Sequence, residues 1–253
     1  VEFVTQQSNL RGSPEGILQA IDAFARKKFL MNVGEDKGEI VANLIKEVRP
    51  KVMVELGGYC GYSTILFGST ARQCGGQRYY SLERSPKFAK NIEALVKFAG
   101  LDDFVEVVVG SSDESIRKLH DAGKLGKIGM MFLDHYKPAY TTDLKLCEEL
   151  GLIQKGTVLA ADNVIRPGNP PYLKYVRSTV EEKNAALEGE READTKNFNA
   201  RSAAQYGKVE DLNTSIKGNP NIIYESKLYD SYEPSGDPVS LIPCAKWCHV
   251  ANT

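Results

Sequence analysis

Two aspartates and an asparagine stand directly after short apolar runs. Asp134 follows Ile128-Gly129-Met130-Met131-Phe132-Leu133, and Asp162-Asn163 follow Thr157-Val158-Leu159-Ala160-Ala161. Two carboxylates and an amide oxygen are hard ligands that suit Mg²⁺ and leave positions for water and substrate. Taken singly, each is equally well read as a helix cap, since Asp and Asn favour strand-to-helix turns. Their placement at the ends of two consecutive strands favours a shared metal. Lys137 lies three residues after Asp134, within reach of the same cavity. A divalent cation nearby lowers an ammonium pKa, so Lys137 is a candidate general base, with a solvated surface charge as the competing reading.

A second group of residues reads Glu55-Leu56-Gly57-Gly58-Tyr59-Cys60-Gly61-Tyr62-Ser63. Glycines at a strand-to-helix turn let backbone approach a ligand closely. A dinucleotide site would need G-x-G-x-x-G, with the pyrophosphate on the helix N-terminus. The register here is G-x-x-x-G, and Glu55 precedes it by two residues. An acid at that point repels a pyrophosphate but suits a ligand carrying an ammonium group. Glu83, about twenty residues past the loop, has the usual spacing of an acid that binds ribose hydroxyls. The two acids together point to a nucleoside carrying an amino acid, S-adenosylmethionine rather than NAD. A purely structural turn is the alternative.

Other chemistries fare worse. No Gly-x-Ser-x-Gly elbow is present, and neither His120 nor His249 has partners for a nucleophilic triad. The five cysteines, Cys60, Cys74, Cys147, Cys244 and Cys248, are odd in number and irregularly spaced, which favours reduced thiols in a cytoplasmic protein over a secreted disulfide framework. Cys244, Cys248 and His249 lack the spacing and the further ligands of a zinc site. The 32 basic and 33 acidic residues nearly cancel, which argues against nucleic acid or an anionic membrane as partner. No apolar run reaches the length of a membrane span, and Val1-Glu2-Phe3-Val4-Thr5 does not resemble a signal peptide.

These residues need elements to position them. Ile17, Ile21 and Phe24, then Ile40, Leu44 and Val48, recur at helical spacing, so Ser13 to Val48 predicts two helices, the first capped by Ser13 with Pro14 at N1. Pro50 ends the second. Apolar runs at Val52–Leu56, Arg78–Leu82 (ending at Glu83), Phe104–Val109, Ile128–Leu133 and Thr157–Ala161 then alternate with helical segments. Strands separated by helices imply a parallel sheet covered on both faces, an α/β doubly wound, Rossmann-like fold. Its ligands bind beyond the carboxyl ends of the strands, where every candidate above falls. A charged, alanine-rich stretch at about 179–219 reads as a surface insertion in a single domain spanning 1–253. Two late strands, Ile222–Tyr229 and Val239–Val250, flank turn residues and are expected to pair antiparallel.

The chain resembles the catechol O-methyltransferase family, within the class I S-adenosylmethionine-dependent methyltransferases. The likeness runs from about Ser13 to Val176. It is carried by MNVGEDKG from Met31, VELGGYCGYS from Val54, FAGL from Phe98, FLDHYK from Phe132 and KGTVLAADNVIRPG from Lys155. The resemblance implies a seven-stranded sheet with the last strand antiparallel, Mg²⁺ held by Asp134, Asp162 and Asn163, and Lys137 as base. It further implies that Val33, Glu55, Gly57, Tyr59, Ser63, Glu83, Ser112, Asp134 and His135 line the methyl-donor pocket. Asp113 stands where the family has a glutamine, which alters an adenine contact. Phe29, Tyr136 and Pro167 occupy the positions of the family's two tryptophans and proline around the catechol, and Lys137 and Asn163 also face it. The family's substrate-orienting glutamate corresponds to Glu233, with Asp230 as the alternative register. The implied substrate is a small catechol or related phenol, and a monomer is the favoured state. The competing readings are a cation-dependent methyltransferase of caffeoyl thioester-like substrates, disfavoured by the lack of a basic cluster for coenzyme A, and a silent S-adenosylmethionine-binding regulator, which would be expected to lose Lys137 or a metal ligand.

Overall fold

Ser13 closes the first long helix as its sequence requires: its side chain accepts from Gly16 N at 3.2 Å, with Pro14 in the first turn. Ser85 and Pro86 repeat the arrangement further on, Ser85 Oγ accepting from Phe88 N. The computed structural model describes residues 1–188, 212–213, 215–232 and 238–250, with Tyr232 and 238–250 described by backbone alone. Glu233 and the side chains of Cys244, Cys248 and His249 thus lie outside the described residues.

In chain order the elements are α1 (Glu2–Thr5), α2 (Pro14–Ala25), α3 (Gly34–Val48), β1 (Val52–Leu56), α4 (Tyr62–Gln73), β2 (Arg78–Glu83), α5 (Pro86–Phe98), β3 (Val105–Val109), α6 (Ser112–Asp121), β4 (Met130–Leu133), α7 (Tyr140–Glu149), β5 (Val158–Ala161), α8 (Pro170–Arg177), α9 (Val180–Glu188), β6 (Ile222–Ser226), β7 (Tyr229–Tyr232) and β8 (Pro238–Val250). The strand–helix alternation is that of an α/β Rossmann-like fold. Contacts divide the described residues into two compact units, one drawn from Val1–Ser115 and Ser231–Pro238, the other from Ile116–Asp230 and Val239–Thr253.

In the first unit β1 pairs parallel with β2, Val52 opposite Arg78 through Leu56 opposite Leu82, and β2 pairs parallel with β3. The strands are near-continuous apolar runs because helices cover the sheet; Met53, Val54, Leu56, Tyr79 and Leu82 are all buried. In the second unit β4 and β5 are parallel, with Leu133 opposite Ala161. β8 runs antiparallel to β5 and also to β6, so the late pair has the expected orientation.

The count of strands differs from the seven expected: the described residues form eight. The run read as one strand from Ile222 to Tyr229 breaks at Lys227-Leu228, and a separate strand begins at Tyr229. The break follows three consecutive polar residues, Glu225-Ser226-Lys227, with no Gly or Pro to mark a turn in the sequence. After β5 the chain makes a wide turn over Val164–Gly168, where Gly168 N and Asn169 N reach carbonyls five residues back, on Asn163 and Val164.

The stretch expected to be a surface insertion begins with α9, and residues 189–211 and 214 lie outside the described residues. Lys183 of α9 is buried, its Nζ donating to Ile222 O at 2.7 Å. The same corner holds Glu148, near the end of α7, which accepts from the hydroxyls of Tyr175 and Tyr224 and from Asn219 N. Burial raises the Glu148 carboxyl above its ordinary range, and Lys183 opposes that shift. No helix among the described residues is long and apolar enough to cross a membrane.

Candidate active site

The glycine loop sits between β1 and α4 in the first unit. Gly61 opens α4 with φ of 88°, a left-handed conformation that favours glycine. At Gly58 a methyl group would come within 2.6 Å of Ile92 Cδ1 and 2.7 Å of Ser81 Oγ, so no larger residue fits without a shift. Tyr59 is left-handed too, with φ of 47°, though it is not a glycine. Glu83, at the end of β2, holds this turn: its Oε2 accepts from Gly58 N at 3.2 Å and Tyr59 N at 2.9 Å, while Oε1 accepts from Ser85 N at 2.8 Å. A carboxylate has about four acceptor positions, so a diol can still be received beside these bonds. The loop-holding role is one that sequence reasoning missed; the signal for it is an acid at the end of the strand adjoining the glycine turn.

Glu55 is held in the packing at the end of β1. It is 0% exposed, and its Oε2 accepts from Thr64 Oγ1 at 2.6 Å and from Ser81 Oγ at 2.7 Å. The side chain therefore lies beneath the loop and not on its surface, because alternate residues of a strand covered on both faces all point into packing. Burial pushes the neighbouring Tyr79 phenol well above its usual range, and the Glu55 carboxylate adds to the shift. Cys60, within the loop, has its thiol raised mainly by burial, which keeps it protonated and removes it as a nucleophile. Of the remaining residues expected on this side, Val33 is buried at the head of α3, Ser63 is buried in the first turn of α4, Ser112 begins α6, and the Tyr59 ring meets Phe88 edge-on at 5.0 Å. Phe29 is 71% exposed.

The second unit presents the other candidates. Because Leu133 and Ala161 are the last paired residues of β4 and β5, Asp134 and Asp162 leave the sheet side by side, and Asp162 N donates to Leu133 O at 2.9 Å. Asn163 follows with φ of 59° and ψ of 31°, a left-handed conformation that asparagine tolerates better than most residues. Asp162 Oδ1 accepts from Asn163 N at 2.7 Å. The described residues contain no cluster of three or more His, Cys, Asp or Glu placed to hold a metal; the third expected ligand, Asn163, would offer an amide oxygen. Two carboxylates on adjacent strand ends with that amide fit a hard divalent cation.

Lys137 is 6% exposed, so the surface-charge reading fails. Its Nζ donates to Asp134 Oδ1 at 2.9 Å and to Tyr140 Oη at 2.7 Å. Tyr140 in turn donates to Leu133 O at 2.8 Å, with Asp162 O at 3.4 Å. Buried Asn169 donates through Nδ2 to Lys137 O at 2.8 Å and caps α8 by accepting from Tyr172 N. His135 Nε2 meets Asp143 Oδ2 at 2.8 Å, and the imidazole stacks on Tyr140 at 4.8 Å. Since a carboxylate only accepts, Nε2 carries the proton; Nδ1 is buried and has no partner within the protein. Tyr140 and Asp143 lie on one face of α7, three residues apart, and sequence reasoning missed both, together with Asn169. Tyr136 and Pro167 are each half-buried, and Asp230 is exposed on β7.

Comparison with known proteins identifies the family. A family model described as a methyltransferase domain matches residues 54–164. Catechol O-methyltransferase of Mus musculus is 42% identical over 175 residues, covering 69% of this chain and 65% of that protein. The enzyme of the same name from Sus scrofa is 44% identical over 151 residues, covering 60% of this chain and 80% of that protein. The chain thus spans about two thirds of the mouse relative's length. Among solved structures, an O-methyltransferase from Bacillus cereus in complex with SAH superposes with a TM-score of 0.59 at 17% identity, covering 98% of both chains, a likeness of fold. On its identity to these relatives, the chain belongs to the catechol O-methyltransferase family.

Proposed function

We propose that this chain transfers the methyl group of S-adenosylmethionine to one hydroxyl of a catechol chelated to Mg²⁺. The observation that carries the reading is the buried Lys137 amine, 2.9 Å from Asp134, an acid that leaves the sheet beside Asp162. A base held next to a pair of metal-binding acids is what deprotonation of a chelated phenol needs.

The roles divide as follows. Asp134, Asp162 and Asn163 would hold the cation. When bound, it would lower the pKa of a catechol hydroxyl beside it. Lys137 takes the proton, and Tyr140 and Asn169 keep it in place. Gly57, Tyr59, Ser63 and Val33 receive the amino-acid end of the donor, with Glu55 contributing negative charge from beneath the loop. Glu83 serves the ribose while holding the turn, and Ser112 and His135 serve the adenine side. Phe29, Tyr136 and Pro167 flank the catechol ring, and Glu233 or Asp230 orients its second hydroxyl. Cys60, Cys74 and Cys147 are free thiols, which supports a reducing, cytoplasmic setting.

The test is methyl-donor turnover with Mg²⁺ against a panel of catechols, catechol acids and caffeoyl thioesters. Methylation of simple catechols, lost on chelation of the metal, is expected. Turnover of thioesters alone would move the substrate to the phenylpropanoid class, and no turnover on any phenol would remove the reading.

A further inference from the structure

Asn169 ends the turn that follows β5, and the two atoms of its amide do different work. The residue is 1% exposed. Its Oδ1 accepts from Tyr172 N at 3.4 Å, and its Nδ2 donates to Lys137 O at 2.8 Å. The first bond is a helix cap. Pro170 and Pro171 have no N–H, so Tyr172 N is the first free donor of α8, and Asn169 receives it. Serine, threonine or aspartate would serve as well for that purpose. What the amide adds is a donor beside the acceptor, aimed at a second element.

That element carries the proposed base. Lys137 O already accepts from Tyr140 N, and a carbonyl has two lone pairs, so the Asn169 bond completes it. At the other end of the residue, Asp134 Oδ1 and Tyr140 Oη hold Nζ at 2.9 Å and 2.7 Å. Those bonds tie the amine to its own turn and to α7. The Asn169 bond ties the lysine backbone to the turn beyond β5. That turn is closed on itself, Gly168 N donating to Asn163 O at 3.1 Å and Asn169 N to Val164 O at 2.8 Å, with Pro167 inside it.

We propose that Asn169 is a positioning residue for proton abstraction. Its amide sets the backbone of Lys137 against the turn that carries Asn163 and Pro167, and so sets where Nζ stands relative to a catechol seated beside that turn. The inference rests on the methyl-transfer reading and adds to it a reason for an amide where a cap alone would accept several residues. A general base acts only within hydrogen-bond reach of the proton it takes, and a misplacement of about 1 Å can cost about a hundredfold in rate.

The test separates the two bonds. Asn169→Ser keeps an oxygen for Tyr172 N but is one bond shorter and has no amide for Lys137 O. Single-turnover methyl transfer should slow about tenfold, while S-adenosylhomocysteine affinity by calorimetry stays within about twofold. In the Lys137→Met background no base remains to be positioned. There the same substitution should change the rate by less than about twofold, so the two losses do not add. An asparagine that serves only as a cap would leave Asn169→Ser at the wild-type rate. A general loosening of the fold would give a loss that persists undiminished beside Lys137→Met or extends to donor affinity. Each of these results overturns the proposal, as does wild-type chemistry in Lys137→Met. Should Asn169→Ser fail to fold, Asn169→Thr, which also caps and fills more of the space, takes its place with the same expectations. Wild-type protein that methylates no catechol would defeat the methyl-transfer reading itself, an outcome distinct from active wild-type protein indifferent to Asn169.

Discussion

In the glycine-loop region the acids brace the turn, Glu83 through backbone N–H groups and Glu55 through two hydroxyls, whereas beyond β4 Asp134 and Asp143 meet the basic side chains of Lys137 and His135. Glu83 spends its oxygens on the N–H groups of Gly58, Tyr59 and Ser85, and Glu55 accepts from two hydroxyls beneath the same turn. Asp134 instead meets Lys137, and Asp143 meets His135. The first region is thus a shaped backbone, which in the proposed reading fits a ligand. The second sets acids against basic side chains, which in that reading hold a cation and move a proton. A substitution in the first should register in affinity and one at Asp134, Asp162 or Lys137 of the second in rate.

The sharpest way to break this contrast is to remove the metal. A Lewis acid at a developing phenolate is worth several kcal/mol, so full chelation or Asp162→Ala should lower methyl transfer by about a thousandfold or more. Undiminished turnover in metal-free buffer would strip the second region of its cation role.

Next in size is Lys137→Met. The loss of the proton acceptor should cost about a hundredfold in the single-turnover rate constant, the low end of the range for a general base because the chelated hydroxyl is already acidified. Donor affinity should hold, since no ligand to the metal or the nucleoside is removed. Wild-type chemistry in this variant would exclude Lys137 as the base.

Glu83→Ala should show the opposite pattern. Charge-assisted hydrogen bonds are worth roughly 1.5–3 kcal/mol, so donor affinity should fall by about tenfold or more while the rate at saturation changes little. A fall confined to the rate would erase the distinction between the regions.

The smallest effect is expected from Asp143→Asn, a loss of roughly 1 kcal/mol or about fivefold in donor affinity. Here nitrogen-15 spectra of the histidines give a second reading. Asp143 fixes the proton on Nε2 of His135, and the amide should relax that preference; an unchanged tautomer would show that the pair does not set the ring.

Most of the scaffold was legible from the chain. Val52–Leu56 and Val158–Ala161 read as buried strands because apolar runs bounded by helices have few other places to go, and the chemistry-bearing residues fall at their carboxyl ends as the fold class requires. What stayed hidden were the supporting residues. Tyr140, Asp143 and Asn169 look like ordinary members of a helix start or a turn, and only folding brings their polar atoms to Lys137 and His135. Periodicity reports which face is buried but not which atom a buried polar group meets. For the same reason the bonds of Glu55 to Thr64 and Ser81 were not legible in the sequence.

One helix measures a distance for the acceptor region. α7 is pinned near its start, where Tyr140 and Asp143 engage Lys137 and His135, and near its end, where Glu148 gathers Tyr175, Tyr224 and Asn219. Each residue of an α-helix turns about 100° and rises about 1.5 Å. Adding or deleting a single residue between Asp143 and Glu148 would swing one set of anchors round the axis while the other stayed put. The interior of α7 can therefore change its letters but not their number, and its length is as much a part of the site as the residues that touch Lys137.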